Sequence, residues 1–81
     1  MQVHVRYFAA LREKIGKDAD EMTLPAGATV SQARAALAER YPQLTSTLAG
    51  CAAAVNRAYA SPDTALAEGD ELVFIPPLGG G

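Results

Sequence analysis

The sequence predicts an α+β fold in which a mixed sheet packs on one main helix. Three stretches carry that expectation. Residues 2–8, QVHVRYF, alternate Val3, Val5 and Tyr7 with Gln2, His4 and Arg6, the period of two of a half-buried strand. Residues 29–41 place Val30, Ala33, Leu37 and Tyr41 at three- and four-residue spacing behind a T-x-x-Q capping box made by Thr29 and Gln32, the signature of a helix start. Residues 71–75, ELVFI, form a last strand stopped by Pro76 and Pro77, which cannot donate to a ladder.

The remaining elements follow in chain order. AALREKIG, residues 9–16, offers a short helix with Gly16 as its C-cap, and DEMTLPAG, residues 20–27, a second strand closed by Pro25 and Gly27. Pro42 ends the main helix at Tyr41, because a residue before proline avoids helical angles. QLTSTLAG, residues 43–50, is either a further turn of helix or a loop whose Leu44 and Leu48 plug the core. AAAVNRAYA, residues 52–60, reads as two short strands joined at Asn56 and Arg57, asparagine tolerating the left-handed angle of a tight turn. The order β-β-α-β-β around one substantial helix has few compact solutions, and the ubiquitin-like β-grasp covers both the helix stripe and one sheet face. That assigns residues 1–76 to the β-grasp domain and residues 77–81 to a flexible, Gly-rich C-terminal tail.

Composition narrows the function classes. At 81 residues the chain is one small domain, so its core rests on a few Val, Leu, Ile and aromatic side chains. Net charge is −2 with scattered Lys and Arg, which offers no basic stripe for a phosphate backbone and no aromatic series for base stacking. No nucleic-acid partner is expected. Nor is a membrane partner, since no apolar run approaches the roughly 20 residues of a span. One cysteine, Cys51, excludes an internal disulfide and a CxxC pair, and the N-terminus lacks a signal-peptide pattern; the expected location is cytoplasmic.

Catalytic machinery is sparse. His4, the single histidine, has the polar parity of the first strand and reads as a surface side chain. Cys51 has no charged sequence neighbour to lower its pKa and reads as a small buried hydrophobe. Gly16-Lys17 fails as a phosphate loop because Leu11 stands where glycine is needed and Asp18 follows the lysine. The acidic groups Asp18, Asp20 and Glu21, and Glu68, Asp70 and Glu71, lack an ion-binding spacing and read as a solvated rim; no metal site is expected.

Surface and tail are the parts left over. Strand parity puts Leu72 and Phe74 on one face and Val73 and Ile75 on the other, sends Phe8 outward, and aligns Tyr59 with it if Asn56 and Arg57 make the turn. Together Phe8, Tyr59 and Ile75 are expected to form an apolar patch of the kind that marks a protein interface. Beyond Pro76 and Pro77, residues 77–81 can reach roughly 16 Å at about 3.3 Å per residue, with Gly79, Gly80 and Gly81 presenting no side chain to a narrow channel. The reactive group would be the α-carboxylate of Gly81. A carboxylate is a poor acyl donor until reaction with ATP, with loss of pyrophosphate, makes it an acyl adenylate whose AMP is a good leaving group, after which a sulfur nucleophile can form a thiocarboxylate.

EGDELVFIPPLGGG, with YFAALRE and AAVNRAYA, resembles the small subunit of molybdopterin synthase, the MoaD family, over essentially the whole chain. The most specific part is the F-x-P-P-x-x-G-G ending, met by Phe74, Pro76, Pro77, Gly80 and Gly81, whereas Gly79 stands where the family often has another small residue. The resemblance implies a sulfur carrier with no bound cofactor and no activity of its own. Its partners would be a MoeB-like activating enzyme, which uses ATP to adenylate Gly81, and the large synthase subunit of the MoaE family. The thiocarboxylate would enter that subunit, with Pro76, Pro77, Gly79 and Gly80 forming the inserted tail, and supply sulfur to cyclic pyranopterin monophosphate for molybdenum cofactor biosynthesis. By position the resemblance also makes Phe8, Tyr59 and Ile75 the docking surface and Arg12 a partner-binding residue. The other readings are a thiamine-type sulfur carrier, a ubiquitin-like protein modifier and a plain interaction module.

Overall fold

A computed structural model describes residues 1–77. Two strands open the chain, β1 (Gln2–Arg6) and β2 (Ala19–Thr23), separated by the short helix α1 (Ala9–Ile15). Gly16 ends α1 in the left-handed conformation, φ 70, and its N–H donates to the carbonyl of Arg12, so glycine does here what a side chain with Cβ does only under strain. β2 returns antiparallel to β1, with Val3 opposite Met22 and Val5 opposite Asp20.

Helix α2 (Val30–Arg40) begins at the capping box as its sequence dictates: Gln32 N donates to Thr29 Oγ1 (3.2 Å) and Thr29 N donates to Gln32 Oε1 (2.9 Å). Val30, Ala33 and Leu37 are buried along one face. After Pro42 the chain makes a 3₁₀ turn (Pro42–Leu44) and one turn of helix, α3 (Thr45–Ala49), that drive Leu44 and Leu48 into the core. The hairpin β3 (Ala52–Val55) and β4 (Ala58–Ala60) turns at Asn56 and Arg57, both left-handed, and β5 (Glu71–Ile75) completes the sheet.

The strand order is β2-β1-β5-β3-β4. It has one strand more than β-β-α-β-β allows, because both arms of the Asn56-Arg57 hairpin join the sheet. β5 lies in the middle, parallel to β1 (Val5 beside Leu72) and antiparallel to β3 (Ala53 beside Phe74). Val3, Val5, Tyr7, Leu72 and Phe74 point at the helices and are buried, while among the described residues no helix covers the opposite sheet face. This is the mixed sheet on one main helix of the ubiquitin-like β-grasp. Leu37 and Phe74 both belong to the core cluster, on the helix and sheet layers. Truncating either to alanine is expected to cost about 2 to 5 kcal/mol in urea unfolding, a large share of a small domain's stability. A loss under about 1 kcal/mol would place the side chain elsewhere.

Two polar groups close the core. Arg34 follows Ala33 on α2 and donates through Nη1 to the carbonyls of Leu48 and, at 2.9 Å, Cys51, while its guanidinium lies 4.9 Å from the centroid of the Phe74 ring. It thereby satisfies carbonyl groups where α3 ends and covers one end of the core. The second group corrects the solvated-rim expectation. Asp20 is largely buried and accepts from Tyr7 Oη (2.8 Å) and Tyr41 Oη (2.5 Å) on Oδ2 and from Lys17 Nζ (2.9 Å) on Oδ1. The two tyrosine rings meet edge to face. Glu68 and Asp70 are not a free rim either: their carboxylates accept from Gln2 N and Ala67 N and shape the loop before β5.

Burial pushes the Asp20 carboxyl up, but hydrogen bonds from Tyr41, Lys17 and Tyr7 outweigh it and hold the pKa below the ordinary value. A depressed folded-state pKa contributes stability that is complete above the unfolded value, about 3.9, and is lost as pH falls through the lower folded value. The thermal midpoint is therefore expected to drop across that acid range, and Asp20→Asn should flatten the drop. An unchanged acid profile in Asp20→Asn would assign the pH dependence to other carboxylates.

Candidate functional site

The sheet face opposite the helices carries a groove of about 340 Å³. Register builds it. Arg6 pairs with Val73, Val73 with Ala54 and Ala54 with Tyr59, so these four residues make one row across β1, β5, β3 and β4 on the outer face. Two residues further along each central strand come Phe8 and Ile75 on the same side. Phe8 is 47 % and Tyr59 80 % exposed, the large apolar side chains that the described fold leaves in solvent. Ala54 forms a covered floor between them.

Local structure at the groove is held by less favourable choices than the fold requires. Phe8 occupies the N-cap of α1, where it gives no side-chain hydrogen bond and where Ser, Thr, Asp or Asn would stabilise the helix by about 1 kcal/mol. Ala9 follows with φ 46, and across the groove Asn56 and Arg57 have φ 50 and 70. Among the described residues these are the non-glycine positions with left-handed angles, and all flank the groove. Asn56 repays part of its cost: its Oδ1 accepts from Glu71 N and its Nδ2 donates to Asp70 Oδ1, both at 2.9 Å, which locks the hairpin turn to the start of β5.

The charged lining is Arg6, Arg57 and Glu71. Arg6 lies 5.4 Å over the Phe8 ring and places Nη1 3.7 Å from Glu71 Oε2. A second depression of about 460 Å³ on β1 and β2 holds His4 and Glu21, whose Nδ1 and Oε1 are 3.3 Å apart, both exposed. That is the surface histidine expected from parity.

The structure thus brings Phe8, Tyr59 and Ile75 together. It leaves Arg12 outside the groove, on the exposed side of α1 with Nη1 3.5 Å from Asp18 Oδ1. Pro76 and Pro77 follow β5 directly, whereas Gly79, Gly80 and Gly81 lie outside the described residues. Sequence reasoning missed Arg6 and Arg57 as groove residues; the signal was available, since Arg6 shares the outward parity of Phe8 and Arg57 sits in the turn that orients Tyr59. Cys51 is buried and donates through Sγ to the carbonyl of Thr47 at 3.2 Å. Burial pushes its thiol up, only partly opposed by Arg34, so it is a poor nucleophile. Among the described residues no acid, histidine or cysteine cluster could hold a metal, and no helix is long and apolar enough to cross a membrane.

A mixed five-stranded sheet packed on one main helix, with an exposed groove on its other face beside the exit of the middle strand, defines a ubiquitin-like β-grasp protein. The ThiS family model matches residues 5–81. Over 83 residues, covering all of both chains, the sequence is 39 % identical to the molybdopterin synthase sulfur carrier subunit of Chlamydomonas reinhardtii. Among solved structures, SAMP1 of Haloferax volcanii, a small archaeal modifier protein, superposes with a TM-score of 0.88 at 29 % identity over all of both chains. Subunits 1 and 2 of the molybdopterin-converting factor of Helicobacter pylori, solved as a complex, include a chain matching with a TM-score of 0.71 at 27 % identity, again over the whole of both. The chain belongs to the ThiS family, in the group of the molybdopterin synthase sulfur carrier subunits.

Proposed function

We propose that this chain is the sulfur carrier subunit of a molybdopterin synthase. The full-length likeness to curated sulfur carrier subunits carries the reading, and the apolar groove beside the strand that leads to Pro76 and Pro77 supplies a place to dock. Apart from its terminal carboxylate, the chain contributes no base, nucleophile or metal group to this chemistry. Its Gly81 carboxylate attacks the α-phosphorus of ATP on a MoeB-like activating enzyme, releasing pyrophosphate and leaving an acyl adenylate. A sulfur nucleophile then displaces AMP, and the resulting thiocarboxylate carries one sulfur. Docked on the large subunit, the carrier donates that sulfur to cyclic pyranopterin monophosphate, and two such deliveries complete the dithiolene. A large-subunit partner is supported by the Helicobacter pylori pair of subunits. ATP serves the activating enzyme and is not held by this chain.

The structural likeness to SAMP1 favours one second reading, a protein modifier joined to lysines through Gly81. Intact mass after incubation with activating enzyme, ATP and a sulfur donor separates the two. Replacement of one oxygen by sulfur is the expected result; a ladder of conjugates in extract would favour the modifier, and an unchanged mass would return the chain to a plain interaction module.

A further inference from the structure

We propose that Arg57 is a cationic clamp at one end of the groove that takes a carboxylate from the partner's docking segment and so sets the direction in which that segment binds. The inference rests on the docking reading above. Arg57 holds the second position of the hairpin turn at φ 70, where glycine fits without steric cost. It is exposed, and none of the ion pairs among the described residues includes it. Backbone strain at an exposed arginine that makes no ion pair among the described residues points to a role in binding.

Charge distribution says which ligand. The chain as a whole is at −2, yet the groove carries two guanidinium groups against the single carboxylate of Glu71. Arg6 is already braced by the Phe8 ring and by Glu71, which leaves the charge of Arg57 unmatched. That charge lies at the Glu71 end of β5, where Asn56 N donates to the carbonyl of Glu71 at 2.8 Å. Phe8 and Ile75 lie at the opposite end, beside the exit to Pro76. A segment lying along β5 therefore meets apolar walls at one end and the exposed Arg57 guanidinium at the other. The complementary partner is an apolar segment with Asp or Glu placed to reach the guanidinium fork.

The test measures the Kd of the purified large subunit of molybdopterin synthase from the same organism for wild type, Arg57→Gly, Arg57→Glu, Arg6→Gln and Phe8→Lys, at low and high salt. Arg57→Gly is the informative variant, because glycine relieves the left-handed strain and should leave stability to urea equal or higher. It is expected to bind about fivefold to tenfold more weakly, with a shallower salt dependence, and Arg57→Glu more weakly still. Wild-type affinity in Arg57→Gly and Arg57→Glu alongside lost affinity in Phe8→Lys would overturn the clamp and leave the docking reading standing. Weaker binding with an unchanged salt dependence would also overturn it, since the loss would then be one of shape. Unchanged binding in Phe8→Lys would remove the docking reading and the clamp with it.

Discussion

Deleting Gly81 is expected to abolish sulfur delivery while leaving the domain folded and able to dock. The carboxylate of residue 81 is the proposed acyl group, and losing one residue withdraws the reacting carbonyl by about 3.3 Å, far beyond what a near-attack geometry tolerates. The groove and core residues all lie between Val3 and Ile75 and are untouched. The shortened protein should therefore compete with the intact carrier for the large subunit. Adding a residue after Gly81 is expected to do the same, by placing an amide where adenylation requires a free carboxylate. Gly79→Ala should be mild, because it adds one methyl two residues from the reacting group. The assay is conversion of the pterin precursor by purified large subunit with each variant offered to the activating system beforehand. Full activity from either the deletion or the extension would remove the terminal carboxylate from the mechanism.

Phe8→Lys is expected to weaken association with both the large subunit and the activating enzyme by about 2 kcal/mol or more, the size of an interface hot spot. The ring is about half exposed, so its replacement leaves no cavity in the core. In a complex the new ammonium would be buried in an apolar contact without a partner, and it would lie beside the Arg6 guanidinium that now stacks on the ring. Two cations held together in a desolvated groove add repulsion to the lost contact. Calorimetric titration against each partner, with a urea curve to verify the fold, reads the result. Unchanged affinity, or unfolding of the domain, would count against the groove as the docking surface.

What the sequence made legible depends on how far apart the interacting residues are. Thr29 and Gln32 are three residues apart and state their capping box outright, and Pro42 fixes the helix end one residue away. Parity does nearly as well: Phe8, Tyr59 and Ile75 follow from counting along strands once Asn56 and Arg57 are taken as the turn, and register confirms that count for Tyr59 and Ile75. Asp20 could not be read this way. Its role needs Tyr7, Lys17 and Tyr41 at one point, and only the packing of the end of α2 against β1 and β2 brings Tyr41 there. Arg34 left a fainter trace, a charged residue at a position four after Val30 on the buried stripe, which helical spacing alone treats as an interruption. The middle position of β5 is likewise invisible to local pattern, since it depends on pairing with β1 67 residues earlier (His4 beside Glu71) as well as with β3.

That middle position orders events during synthesis. Until residue 75 has left the ribosome, β1 and β2 on one side and β3 and β4 on the other have nothing to join them, and the row from Arg6 to Tyr59 is broken at Val73. A chain interrupted upstream of β5 has neither a closed core, for want of Leu72 and Phe74, nor a continuous outer face. The face that receives a partner is therefore completed only by translation through β5, and a chain ending anywhere beyond it presents the same face.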